Sequence, residues 1–160
     1  MERIVSGYTY SIAKALGVLP SGMRARVQGV HFWTGTDPRW AGVVPRWESK
    51  HRYLSGPTAI ACAYPNHTLD KRVSVVMLVP ESRGLRVVDV VHELGHVLAW
   101  NVGVRDHDAT PVTTYAMNSR HEAFAEALVT WLFKGYGDEE SLFTDLPTLD
   151  LFRRLSARPD

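Results

Sequence analysis

The chain has 160 residues, of which 45% are hydrophobic, with a net charge of +1 and one cysteine. That length is enough to bury a sizeable core in a single domain, residues 1–160, with an N-terminal sheet half over about 1–103 and a C-terminal helical half over about 104–160. Scattered, near-balanced charge gives no reason to expect nucleic acid or an anionic membrane as partner, no apolar run is long enough for a membrane span, and lone Cys62 excludes an internal disulfide and a Cys-based zinc site.

The first residues lack a basic segment followed by an apolar run, so no signal peptide is expected. A monomer in a cytoplasmic setting fits, as does delivery by another route. Over residues 2–17, Ile4, Val5, Tyr8, Ile12, Ala15 and Leu16 recur at helical spacing, and Gly17 and Pro20 end the helix. Residues 24–34 mix β-branched and aromatic side chains and read as extended. From Pro38 to Gly56 the chain is loop-like and repeats Pro-Arg-Trp at 38–40 and 45–47. Trp40 and Trp47 either contact a ligand or pack beneath the loop.

Two runs, 58–64 and 72–79, look like strands, and the short connection between them predicts an antiparallel pair. The small residues of the first run suit the close approach of another backbone. It is either a sheet edge that pairs with an extended peptide or a strand beneath a helix.

Residues 83–102 contain no proline and predict a helix, with Ser82 as N-cap and Gly103 as C-cap. Within it stands His92-Glu93-Leu94-Gly95-His96. Four residues of an α-helix turn through about 400°, so both imidazoles leave nearly the same face and can reach one Zn²⁺. Glu93 sits beside the metal, placed to take a proton from a zinc-activated water. The alternative is a buried amphipathic helix with two incidental histidines, which would strand three polar groups on apolar walls.

After a polar loop over 104–118, a second helix runs over 119–133, and the tail from Asp138 adds one or two short helices. A catalytic zinc takes a third protein ligand and keeps one position open. Six residues past His96 stands Val102, so no third histidine falls there. His107 and Asp108 lie nearby in a loop. Glu122, on the second helix, is the stronger candidate, although Ser119-x-x-Glu122 also reads as a capping box. Glu126, one turn on, either accepts the distal N–H of His92 and fixes its tautomer or is a solvated surface carboxylate.

The motif and the downstream Glu122-Ala123-Phe124-Ala125-Glu126-Ala127-Leu128 resemble the zincin metallopeptidases of gluzincin type, among them the catalytic domain of anthrax lethal factor and its relatives. The likeness covers residues 58–133. In those proteins a tyrosine stands seven residues before the third-ligand glutamate; here it is Tyr115. The resemblance implies His92, His96 and Glu122 as metal ligands, Glu93 as general base and Tyr115 as the phenol that stabilises the oxyanion or protonates the leaving amine. Glu126 would match the carboxylate one turn after the third ligand.

It also implies an α+β, zincin-like fold. A small twisted, mostly antiparallel sheet packs on the active-site helix, with a C-terminal helical part. The expected function is that of a zinc metalloendopeptidase hydrolysing a protein or peptide, held as an added strand along 58–64. The alternatives are a regulatory protease resembling the ImmA/IrrE group, which cleaves one repressor, and a non-catalytic zinc-containing binding or assembly module.

Overall fold

A computed structural model describes residues 6–34, 61–65, 74–78, 86–105, 109–133 and 146–158. Among these the chain is mostly helical, with one sheet of three short strands. The two Pro-Arg-Trp segments, Ser82, His107 and Asp108 lie outside the described residues.

Helix α1 spans Ser6–Val18 and buries Ile12 and Ala15, three apart on one face, with Leu19 beyond its end. A short helix, α2 (Ser21–Arg26), occupies the start of the stretch expected to be extended. That expectation fails for a tertiary reason. Met23 is fully buried, and the Arg26 guanidinium donates to the carbonyls of Gly22, Leu155 and Ala157, each at 3.0 Å. A side chain on Gly22 would collide with the carbonyls of Leu155 and Ala157, so only glycine allows this approach.

The extended part begins at β1, His31–Thr34. β2 (Ala61–Pro65) and β3 (Ser74–Leu78) pair antiparallel, as the short connection predicts, with Ala61 opposite Leu78 and Pro65 opposite Ser74. β1 pairs with β3 in parallel, His31 opposite Val75, and the order is β1-β3-β2. The described sheet is therefore mixed rather than mostly antiparallel. A parallel pair needs a long crossover, and residues 35–73, which include β2, separate β1 from β3. β2 stands at one edge of the described sheet.

Helix α3, Val87–Val102, is the spine of the molecule. It starts later than residue 83, at Arg86, whose backbone N–H and guanidinium both donate to the Asp89 carboxylate. It ends where expected, at Gly103, whose φ of 75° is the left-handed conformation that glycine adopts freely. Val90, Val91, Leu94, Val97, Leu98 and Ala99 are buried along it.

Part of the expected loop is helical: α4 spans Thr114–Asn118. A 3-10 turn, Arg120–Glu122, leads into α5, Ala123–Leu132. α6, Leu146–Ser156, closes the core by setting Phe152 against Phe124 and Trp131. Buried side chains from α1, α2, β1, α3, α4, α5 and α6 form one hydrophobic cluster. No helix among the described residues is long and apolar enough to cross a membrane.

Candidate metal centre

His92, Glu93 and His96 are the only titratable side chains of α3 after Asp89. The 92-to-96 spacing sets the two imidazoles one turn apart, with ring centroids 5.1 Å from each other. Glu122, which ends the 3-10 turn and caps α5, and Glu126, in the first turn of α5, have the same spacing. The two helices touch between these pairs, where a Cβ on Gly95 would lie 3.0 Å from the Cα of Ala125. Two small residues thus bring the histidine face of one helix against the glutamate face of the other.

Oε2 of Glu122 lies 2.7 Å from Nε2 of His92 and 2.7 Å from Nε2 of His96. One donor atom from each residue falls within 4.8 Å of the others, a group that could hold a metal ion. Ser119 makes no side-chain capping bond; the Glu122 backbone N–H donates to its carbonyl, and the Glu122 carboxylate turns to the imidazoles. Glu126 is not a solvated surface group: its side chain is 5% exposed, and Oε2 is 3.0 Å from Nδ1 of His92.

The donor set itself calls for a cation. Both ring nitrogens of His92 face carboxylate oxygens, yet a neutral imidazole has a single N–H. The second contact therefore needs a further proton, on the ring or on the facing carboxyl, or a metal ion between the pair. Without metal it is a proton. Burial pushes the His92 pKa down, but the hydrogen bonds to Glu122 and Glu126 and the charge of Glu93 outweigh it and raise the pKa to about 9. Burial pushes Glu122 upward, and its bonds to His92 and His96 prevail, holding it well below the ordinary carboxylate range. Two imidazole nitrogens and a carboxylate oxygen suit several divalent transition metals.

Glu93 is half-buried and close enough for its charge to raise both His92 and Tyr115. Tyr115 lies on α4, its ring 6.3 Å from that of His92. Burial, the charge of Glu122 and a hydrogen bond to it push the phenol up to about 12, so it carries its proton at neutral pH. Over half of this residue remains exposed, and one side of it faces solvent.

Three neighbours escaped the sequence reading. Trp100, one turn past His96, stacks on that imidazole with centroids 6.0 Å apart and planes at 24°. His121 places Nε2 3.3 Å from Oε1 of Glu122. Thr113, buried at the cap of α4, donates to Oε1 of Glu126 at 3.0 Å. The spacing of Trp100 from the motif was a usable signal; Thr113 lay in a polar stretch without periodicity.

Compared with known proteins, the chain matches no protein-family model, no curated protein and no solved structure.

Proposed function

We propose that this chain is a zinc-dependent metallopeptidase of gluzincin type, with the α+β arrangement that goes with it. The observation that carries the reading is the meeting of His92 and His96 with Glu122 from a second helix, with Glu93 beside the first histidine. The residues fit zinc, which is commonly held in catalytic sites by three protein ligands of nitrogen and oxygen type. Bound there, zinc would lower the pKa of a water and polarise a carbonyl oxygen.

The chain's own residues supply the rest. Glu93 takes the proton from the attacking water and passes it to the leaving nitrogen. Tyr115, kept protonated by burial and the carboxylates around it, donates to the developing oxyanion. Glu126 holds Nδ1 of His92. β2, at the edge of the described sheet, is the strand along which an extended substrate peptide would add.

The test combines metal analysis of the purified chain with turnover of a peptide library. Glu93→Gln is expected to keep zinc and to lose about 10²- to 10⁴-fold in turnover. Equal cleavage by wild type and variant overturns the assignment of the base. Zinc without cleavage in the wild type favours a binding module. Iron in place of zinc would move the reading to oxygen chemistry, because two histidines and a carboxylate also serve non-haem Fe(II).

A further inference from the structure

Ala116 offers its backbone N–H to Oγ1 of Thr113 at 3.1 Å. A backbone N–H can only donate, so the hydroxyl accepts there, and its single proton is left for another partner. That partner is Oε1 of Glu126, at 3.0 Å. With Oε1 engaged, Oε2 faces Nδ1 of His92, and Nε2 of the same ring faces Glu122. The Glu126 carboxylate thus accepts from two sides, from the Thr113 hydroxyl at Oε1 and from His92 Nδ1–H at Oε2, and the Thr113 hydroxyl is itself oriented by a peptide N–H of α4.

We propose that Thr113 is a positioning residue: it holds Glu126, and through Glu126 the ring of His92, in the orientation that presents Nε2 to a metal, while it anchors the helix carrying Tyr115. Thr113 is 4% exposed and Glu126 3%, so water has little room to replace the missing bond if the hydroxyl is removed. A cap alone would need only the acceptor side of this hydroxyl. The donor side goes to a carboxylate thirteen residues away on a different helix. The inference rests on the reading of His92, His96 and Glu122 as metal ligands, and it needs no peptide cleavage.

The experiment uses the full chain and measures Zn²⁺ affinity by chelator competition, alongside ¹⁵N-histidine spectra. Thr113→Val is expected to weaken Zn²⁺ binding about 10- to 100-fold, the range typical of groups that orient metal ligands. Thr113→Ser, which keeps both sides of the hydroxyl, is expected to restore it. On a Glu126→Gln background, Thr113→Val is expected to add little, because the two act in series. A folded Thr113→Val chain that binds Zn²⁺ as the wild type does overturns the proposal. So does a full additional loss on the Glu126→Gln background, which would reduce Thr113 to a cap.

The wild-type chain gives a reading that depends on no variant's folding. A slowly exchanging Thr113 hydroxyl proton and a protected His92 Nδ1–H are expected with or without metal. A hydroxyl that exchanges freely with solvent sinks the inference. Zinc binding without cleavage would defeat the peptidase reading and leave this one standing.

Discussion

The two faces of α5 solve opposite problems. Toward α3 it presents Ala125, Glu126 and Leu128, with Glu122 just before its first turn, and the backbones approach until Gly95 and Ala125 touch. Toward α6 it presents Phe124 and Trp131, which close on Phe152 at centroid distances of 5.5 and 5.3 Å. The first face buries carboxylates that need partners, and His92, His96 and Thr113 supply them. The second removes aromatic surface from water, which is where stability comes from.

The contrast breaks first at the aromatic face. Phe152→Ala is expected to cost about 3–5 kcal/mol of stability, measured by denaturant unfolding, while the folded fraction keeps its metal stoichiometry. Glu122→Ala should do the reverse, leaving a folded chain whose metal affinity falls by more than the roughly 10- to 100-fold that supporting residues cost. Loss of metal binding in folded Phe152→Ala would mean that the two faces are not separable.

Proton linkage sharpens the comparison next, because only the polar face titrates. In the metal-free chain His92 is raised from 6.5 to about 9, against the opposing pull of burial, by Glu122, Glu126 and Glu93. Its contribution to stability is fully present below pH 6.5 and is lost as pH climbs through about 9. Glu122 is depressed from 4.5, so its contribution is present above that value and is lost as pH falls toward its lower folded-state pKa. The metal-free chain should therefore gain most from this cluster between pH 4.5 and 6.5. A metal ion has to displace the His92 proton, so its apparent affinity should rise about tenfold per pH unit up to about pH 9. Metal titrations between pH 6 and 8 that show no slope would place no proton on His92 in the metal-free state.

The same division governs what could be read from the residues alone. The α3 and α5 pair was legible because each helix carries its own period, and the His92-x-x-x-His96 and Glu122-x-x-x-Glu126 spacings place groups on one face without reference to the rest of the fold. Gly103 was legible as a stop because a left-handed residue after an apolar helix is a local property. α2 was not, because its helical turn depends on Arg26 reaching the carbonyls of α6, far along the chain. The parallel pairing of β1 with β3 was hidden for the same reason. α4 is five residues long and is stabilised by the Thr113 cap, a signal easily lost in a polar stretch. Tyr115 stood out only by resemblance, since nothing local distinguishes it from a loop tyrosine.

The smallest change is the most discriminating. Gly95 is buried immediately before His96, and alanine would ordinarily favour a helix interior over glycine by up to about 1 kcal/mol. Here the added methyl meets the Cα of Ala125 at 3.0 Å and its Cβ at 3.2 Å, and a backbone atom cannot swing aside as a flexible side chain would. Overpacking of this kind typically costs about 1–3 kcal/mol, so Gly95→Ala should be net destabilising despite the better propensity. The strain is relieved by moving α5 away from α3, and that motion carries Glu122 off the two imidazole nitrogens it now meets at 2.7 Å. Thermal unfolding and metal affinity should therefore fall together in this variant, unlike Phe152→Ala, which moves the first alone, and Glu122→Ala, which moves the second. A more stable Gly95→Ala chain with unchanged metal affinity would show that the helices have slack at this crossing and that something other than their close approach sets the spacing of the site.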